Sequence, residues 1–265
     1  MKIFFWKSHP LRKHLIFLSF FRKKLKSEYS DYINAPLVSE DIFINAFMFP
    51  RENILTYGYP RNDILINHTA ADEQEIKQRL GIPLDKKVIL YAPTWRDDEF
   101  HSVGKYKFTL RLDLERLREE LGNEYVIILR MHYFISDVLD LSNYGGFVFD
   151  FSKYNDINDL FIVSDLLITD YSSVFFDFAN LKRPILFYTY DLAKYKDELR
   201  GFYIDVYNDL PGPLLYTSDE VIDRIKNIKA VMYEYEEKYK SFYEEFCALD
   251  DGKASERVIE TVLEK

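Results

Sequence analysis

One segment of the sequence changes its pattern twice: Asp165-Leu-Leu-Ile-Thr-Asp-Tyr-Ser-Ser-Val-Phe-Phe-Asp-Phe-Ala-Asn-Leu181. An apolar run, Leu166 to Ile168, ends in a polar corner at Thr169–Ser173, and apolar residues then recur at helical spacing through Leu181. The segment is therefore predicted to form a buried strand, a turn and a helix.

The Thr169–Ser173 corner has two interpretations. The first N–H groups of a helix lack partners within the helix, and the helix dipole favours negative charge there, so Ser172 and Ser173 suit a phosphate. Serine is also a common helix cap, and on this segment alone the cap is the favoured interpretation.

Similar patterns surround this segment. Apolar runs predict strands at Val88–Ala92, Tyr125–Leu129, Phe147–Phe149, Leu166–Ile168 and Ile185–Tyr188. Helices are predicted between or after them, at Leu110–Leu121, Asp156–Val163 and Ser173–Leu181. Continuous apolar strands that alternate with helices indicate a parallel sheet covered on both faces, so the predicted fold class is α/β.

The regions on either side of this sheet are more irregular. Before it, short strands are predicted at Tyr32–Ser39 and Ile54–Tyr57, on either side of an amphipathic piece, Glu40–Phe47. A charged surface helix is predicted at Ala70–Leu80, and after the sheet come helical regions at Glu220–Phe246 and Ser255–Leu263.

Composition narrows the functional classes. A net charge of −9, with 48% hydrophobic and 30% charged residues, fits a globular protein and makes nucleic acid an unexpected partner. A single cysteine, Cys247, excludes an internal disulfide framework and a Cys-rich zinc site, which points to a reducing compartment.

The first 27 residues carry eight basic side chains and no acidic one, around the apolar patch Leu15–Phe21. This patch is shorter than the roughly 20 residues that span a bilayer, and no small-residue cleavage site follows it. Two interpretations remain: a basic amphipathic segment on an anionic membrane face, or a solvated basic helix that packs on its own protein.

Three polar clusters follow predicted strands, where open parallel sheets bind ligands. They are Thr94 with Arg96, Arg130 with His132, and the Thr169–Ser173 corner. Arg130 and His132 are two residues apart, so their side chains point the same way if the strand continues through them. A guanidinium beside an imidazole suits a diphosphate and phosphoryl transfer; the alternative for the lone histidine is a structural role.

Other polar residues are weaker candidates. Asp170 and Asp177 lack a carboxylate cluster of convincing spacing, so no metal is expected. Arg61 lies in Gly58-Tyr-Pro-Arg-Asn-Asp63, which reads as a turn, with a phosphate contact as the alternative. The remaining histidines form no ligand set: His9, His14, His68 and His101.

Four ordered motifs carry a family resemblance: Tyr57-Gly-Tyr-Pro-Arg-Asn-Asp63, Leu90-Tyr-Ala-Pro-Thr-Trp-Arg96, Leu129-Arg-Met-His132 and Ser164-Asp-Leu-Leu-Ile-Thr-Asp-Tyr-Ser-Ser-Val-Phe-Phe-Asp-Phe-Ala179. In their order and spacing they resemble the CDP-glycerol glycerophosphotransferases, which include the teichoic acid glycerol-phosphate primases and polymerases. The resemblance extends over about Asp31–Ile228.

The resemblance implies a GT-B fold of two Rossmann-like lobes, of which the second binds CDP-glycerol or another CDP-polyol as donor substrate, with no further cofactor. It implies that Arg130 and His132 are catalytic, with His132 stabilising the diphosphate during attack on the glycerol-bearing phosphorus and CMP leaving. The donor site implied by the motifs comprises Thr94, Arg96, Arg130, His132, Thr169, Asp170, Ser172, Ser173 and Asp177. The implied acceptor is a lipid-linked glycan or teichoic acid, which places the protein in the cytoplasm at the inner face of the cell membrane.

The first lobe departs from the family pattern. Trp6-Lys-Ser-His-Pro-Leu-Arg12 aligns with the family's Trp-His-Gly-Thr-Pro-Leu-Lys, whose histidine is assigned as general base, and Lys7 occupies that position. A lysine of ordinary pKa, about 10.4, is a poor base at neutral pH, and His9 is the nearest substitute. We therefore expect a truncated chain: residues 1–67 as a remnant acceptor lobe packed on the C-terminal helices, 68–230 as the Rossmann-like donor lobe, and 231–265 as those helices.

Three functional hypotheses follow. The chain is an active polyol-phosphate transferase, or a non-catalytic CDP-polyol-binding homologue whose partner is a separately encoded first lobe. The third hypothesis is a GT-B glycosyltransferase that uses nucleotide sugars.

Overall fold

The structure of the chain, a computed structural model, describes residues 33–34, 44, 50–94, 96, 100–102, 105–106, 110–131, 140–195 and 204–263. Several predicted features lie outside these residues: the basic segment Met1–Ser27 with Lys7 and His9, nearly all of Glu40–Phe47, and His132.

The strands of the described chain are β1 (Ile33–Asn34), β2 (Ile54–Leu55), β3 (Lys87–Ala92), β4 (Phe100–Ser102), β5 (Lys105–Tyr106), β6 (Tyr125–Leu129), β7 (Val148–Asp150), β8 (Leu166–Thr169), β9 (Ile185–Tyr188) and β10 (Leu214–Leu215). The helices are α1 (Asp63–Asn67), α2 (Ala70–Arg79), α3 (Leu114–Leu121), α4 (Ile157–Ile162), α5 (Val174–Phe178), α6 (Leu192–Lys194), α7 (Ser218–Lys226), α8 (Ile228–Glu234), α9 (Glu236–Phe246) and α10 (Ala254–Leu263).

A six-stranded sheet of order β10-β9-β8-β3-β6-β7 forms the centre of the described chain. Every neighbouring pair is parallel, which confirms the predicted parallel α/β sheet. Read along the chain, the order is that of the Rossmann fold, in which the first strand lies beside the fourth. The chain reverses direction across the sheet between β3 and β8, so the carboxyl ends of these two strands flank the crevice where such folds bind ligands.

Both faces of the sheet are buried. Val88 and Leu90 of β3 join a cluster with α4 and α5, whereas Ile89 and Tyr91 point to the opposite cluster with α3 and α7. Side chains of a strand alternate between faces, so a strand covered on both sides must be apolar at every position. Burial on both faces of the sheet therefore explains the continuous apolar runs in the sequence.

Some predicted bounds were wrong. Helix α3 begins at Leu114 rather than Leu110, because the Asp113 side chain caps it by accepting a hydrogen bond from the Arg116 N–H. The predicted helical region Glu220–Phe246 is three helices, and the first begins at Ser218 behind a capping box formed by Thr217 and Glu220.

Residues 57–67 contact the C-terminal part of the chain. The Asp63 carboxylate accepts hydrogen bonds from the N–H groups of Ala254 and Ser255 at 2.9 and 2.8 Å, at the start of α10. The Asn67 amide donates to the Gly252 carbonyl at 2.8 Å. The domain boundaries proposed from the sequence stay a prediction. Among the described helices, none combines the length and apolarity needed to cross a membrane.

Candidate functional site

The Thr169–Ser173 corner lies at the carboxyl end of β8, next to the end of β3. Thr169 is the last residue of β8, and it is paired with Ala92 in the sheet. Its side chain is fully buried and donates a hydrogen bond to the Ala92 carbonyl at 2.8 Å. Thr169 therefore supports the corner from within the sheet.

Asp170 fastens the corner to the loop after β3. Its Oδ1 atom accepts hydrogen bonds from the backbone N–H groups of Thr94 at 2.8 Å and of Tyr171 at 2.6 Å. Its Oδ2 atom accepts from Arg96 Nη1 at 2.9 Å. Both carboxylate oxygens of this buried side chain are thus engaged by the protein.

Arg96 is almost completely buried at this site, and its side chain is 3% exposed. It donates from Nε and Nη2 to the two oxygens of Asp191, at 2.7 and 2.9 Å, and from Nη1 to Asp170 and to the Thr94 carbonyl. Burial alone would lower the pKa of Arg96, but the carboxylates of Asp170 and Asp191 raise it above its ordinary value. The guanidinium is therefore permanently charged and held by protein groups.

Asp191 is a member of this site that the sequence analysis missed. It follows β9 in the same way that Thr94 and Asp170 follow β3 and β8. Polar residues that follow parallel strands line the ligand-binding edge of the sheet. Applying this rule to the fifth predicted strand, Ile185–Tyr188, would have identified Asp191.

Ser172 and Ser173 make no hydrogen bond to another described residue through their hydroxyl groups. Ser173 is the N-cap of α5 but forms no side-chain cap, and its backbone is helical, with φ −66° and ψ −1°, rather than extended as at most caps. The interpretation of Ser173 as a capping side chain is therefore wrong. Ser173 is exposed and Ser172 half-buried, so both lie where a ligand has access.

A third hydroxyl at this edge belongs to Thr94. Its Oγ1 atom is buried and has no hydrogen-bond partner among the described residues. Buried hydroxyls in native proteins are nearly always satisfied, so an unpaired one beside a ligand crevice indicates a missing partner.

Arg130 holds the neighbouring loop. Strand β6 ends at Leu129, so the strand does not extend through Arg130. Its Nη1 donates to the carbonyls of Phe151, Ser152 and Tyr154 at 2.7, 2.9 and 2.6 Å. Burial lowers the pKa of Arg130. Because His132 lies outside the described residues, the predicted Arg130–His132 pair stays a prediction.

Arg61, for which a phosphate contact was the alternative to a turn, lies against Asp177, a residue of the implied donor site. Arg61 Nη2 is 2.9 Å from Asp177 Oδ1, and Arg61 Nε is 3.2 Å from both carboxylate oxygens. The guanidinium also lies 3.9 Å from the ring centre of Tyr59. Each of the two charges therefore has a protein counter-charge.

Among the described residues, no group of three or more His, Cys, Asp or Glu side chains is placed to hold a metal ion. The expected lack of a cofactor stays a prediction.

The sequence profile of a known family, CDP-Glycerol:Poly(glycerophosphate) glycerophosphotransferase, matches residues 9–264. The chain is 54% identical over 234 residues to a teichoic acid poly(glycerol phosphate) polymerase of Bacillus subtilis (strain 168), covering 88% of this chain and 31% of the relative. It is 51% identical over 243 residues to a teichoic acid glycerol-phosphate transferase of Staphylococcus aureus (strain NCTC 8325 / PS 47), covering 90% of this chain and 62% of the relative. The chain thus spans between about a third and just under two thirds of these proteins.

Solved structures of a teichoic acid polymerase are also similar to this chain. The wall teichoic acid polymerase TagF superposes with a TM-score of 0.86 at 45% identity in one variant, over 100% of this chain and 64% of that chain. A variant of the same polymerase soaked with CDPG for 30 minutes gives a TM-score of 0.84 at 43% identity, over 100% of this chain and 63% of that one. This likeness, together with the parallel sheet, confirms the predicted GT-B-like α/β fold class. The chain therefore belongs to the CDP-glycerol:poly(glycerophosphate) glycerophosphotransferase family.

Proposed function

We propose that the chain transfers glycerol phosphate, or another polyol phosphate, from its CDP-activated form to a teichoic acid or related lipid-linked glycan, with release of CMP. One observation supports this proposal most strongly. The hydroxyls of Thr94, Ser172 and Ser173 make no hydrogen bond to another described residue, and they lie near the carboxyl ends of β3 and β8, where the strand order of the Rossmann sheet reverses. The names of the relatives support the reaction class, and the CDPG soak of TagF supports the donor.

The three hydroxyls suit a diphosphate because each can donate one hydrogen bond to a phosphate oxygen. Hydrogen bonds to a charged acceptor contribute about 1.5–3 kcal/mol each. In the proposed step, the acceptor hydroxyl oxygen bonds to the glycerol-bearing phosphorus while that atom's bond to the CMP oxygen breaks. The electron pair leaves with CMP, and the acceptor proton passes to a base.

We assign to Arg130 and His132 the positive charge that stabilises the leaving CMP, as the family resemblance implies. Arg130 is already anchored at the edge through Nη1, so its position does not depend on the ligand. A fixed cation that needs no rearrangement stabilises developing charge more strongly than water does.

The basic N-terminal segment is proposed to bring the protein to the acceptor. It holds eight of the 35 basic residues of the chain and none of its 44 acidic residues. Anionic lipids attract such segments by about 1 kcal/mol per basic side chain near the surface. Sedimentation with vesicles should therefore depend on anionic lipid and weaken with salt; equal sedimentation with neutral vesicles would contradict this part.

The catalytic proposal is tested by CMP release from CDP-glycerol in the presence of a lipid-linked glycerol-phosphate primer. The paired variant Ser172→Ala/Ser173→Ala should lower the rate about tenfold or more, from the loss of two charge-assisted hydrogen bonds. Ser241→Ala, at an exposed serine on α9, is the matched control and should leave the rate unchanged.

Other outcomes discriminate between the hypotheses. Binding of CDP-glycerol with no CMP release would favour the non-catalytic homologue. That hypothesis is motivated by Lys7, which occupies the position of the family's general base. Hydrolysis of UDP-sugars in preference to CDP-glycerol would favour a glycosyltransferase.

A further inference from the structure

Arg96 joins three loops at the ligand edge of the sheet. It lies in the loop after β3, bonds to the Thr94 carbonyl of the same loop, to Asp170 after β8 and to Asp191 after β9. The planar fork of a guanidinium makes this possible, because Nε and Nη2 face one carboxylate while Nη1 faces another.

This cluster is unsuited to bind a phosphate itself. Four of the five N–H groups of Arg96 are committed within the protein, and the side chains of Arg96 and Asp170 are 3% and 2% exposed. One guanidinium with two carboxylates carries a formal charge of −1, which repels a diphosphate.

The cluster instead fixes the residues that precede the serines. Asp170 accepts the N–H of Tyr171, the Tyr171 hydroxyl donates to Asp191 at 3.0 Å, and the Tyr171 ring stacks on Tyr195 with 3.8 Å between ring centres. Ser172 follows directly. Thr94 is held at the same time, since its N–H donates to Asp170 and its carbonyl accepts from Arg96.

We propose that Arg96 is a positioning residue: through Asp170 and Asp191 it sets the hydroxyls of Thr94 and Ser172 at the spacing that the donor diphosphate requires. The inference rests on the proposed function, because it assigns those hydroxyls to the diphosphate. It also revises the expectation that Arg96 contacts the donor directly.

Arg96→Lys is the informative substitution. Lysine keeps the charge but offers a single point of contact, so it cannot reproduce the bidentate pair with Asp191 and the bond to Asp170 at the same time. The matched control is Arg183→Lys, which lies two residues before β9 and so at the amino end of that strand, away from the carboxyl ends that carry the site. Arg183 is likewise anchored within the protein, with Nη1 donating to the carbonyls of Ile162 and Ser164 at 2.6 and 2.7 Å.

Two measurements test the inference. Hydrogen exchange should accelerate about tenfold or more at the amides of residues 170–174 in Arg96→Lys and stay unchanged there in Arg183→Lys. In the CMP-release assay, the KM for CDP-glycerol should rise about tenfold in Arg96→Lys, with a smaller change in kcat, and stay within about twofold in Arg183→Lys.

Unchanged exchange at residues 170–174 in Arg96→Lys, or an equal rise in KM in both variants, would overturn the inference. Failure of the wild type to bind CDP-glycerol refutes the proposed function instead, and the exchange comparison then decides the positioning claim alone. If Arg96→Lys does not fold, Asp191→Asn replaces it, because it removes one acceptor and leaves the guanidinium in place.

Discussion

Arg61 Nη2 lies 2.9 Å from Asp177 Oδ1, and this ion pair connects the 3-10 turn Pro60–Asn62 to helix α5. Helix α5 begins at the Thr169–Ser173 corner, so the turn is linked to the element that carries the candidate site. Asn62 reinforces the connection by donating to Asp177 at 3.1 Å and to Asp250 at 2.6 Å. The region before the sheet thus contacts the site's helix directly.

The Arg61–Asp177 pair should contribute modestly to stability, because the Arg61 side chain is 48% exposed. A double-mutant cycle of Arg61→Gln and Asp177→Asn, followed by urea unfolding, should give a coupling energy of about 0.5–1 kcal/mol. Simple additivity of the two substitutions would show that the pair makes no net contribution to stability, contrary to this prediction.

Asp250 should be far less tolerant of change. Its carboxylate accepts three hydrogen bonds, from the Tyr59 N–H at 2.6 Å and from the amides of Asn62 and Asn180 at 2.6 and 3.0 Å. An amide offers one acceptor oxygen and places an NH₂ group against these donors, so Asp250→Asn should cost about 1–3 kcal/mol in the free energy of unfolding.

The control for Asp250→Asn is Asp85→Asn, at an exposed aspartate, which should change the free energy of unfolding by less than about 0.5 kcal/mol. Equal effects of the two substitutions in urea unfolding would refute the role of the buried carboxylate.

Gly58 is required by both its backbone and its surroundings. Its φ is +82°, and a Cβ atom there would clash with the Leu249 carbonyl oxygen. Gly146 has a similar φ of +78° but open space around it. Gly146→Ala should therefore cost only backbone strain, about 1 kcal/mol, whereas Gly58→Ala should cost about 2 kcal/mol or more. Thermal unfolding of the two variants side by side checks this, and an equal loss would contradict the close approach of the chain at Leu249.

Asp251 should give stability a local pH dependence. Hydrogen bonds from Arg257 lower the pKa of Asp251 to about 2. A carboxyl whose folded-state pKa is depressed contributes stability above its unfolded-state pKa, near 3.9, and loses it as the pH falls towards the folded value. Because the pair is largely exposed, Asp251→Asn should cost at most about 1 kcal/mol at pH 7.

The difference in unfolding free energy between wild type and Asp251→Asn should shrink steadily from pH 4 to pH 2. A difference that stays constant over that range would mean that the Asp251–Arg257 pair does not depress the pKa.

Local pattern predicted much of the sheet. Tyr125–Leu129 and Ile185–Tyr188 form strands at the predicted bounds, because every side chain in them is buried and therefore apolar. β10 was missed since it is only two residues long. The order of the strands could not be predicted from the sequence, because it depends on which strands pair their backbone edges in three dimensions.

The location of the site was predicted more accurately than the role of each residue in it. Polar residues after β3 and β8 do meet at one edge, as the parallel sheet required. Whether a polar side chain there is free depends on distant partners: Arg96 is held by Asp191, which is 95 positions away in the chain. The capping state of Ser173 depends on backbone angles that residue type does not fix.

The most direct test of the central claim is a crystal structure of the chain soaked with CDP-glycerol. We expect the diphosphate within hydrogen-bond distance, about 3 Å, of the hydroxyls of Ser172, Ser173 and Thr94, with Arg96 still bonded to Asp170 and Asp191. A diphosphate bound away from the Thr169–Ser173 corner, or one that draws Arg96 out of its carboxylate pair, would contradict it.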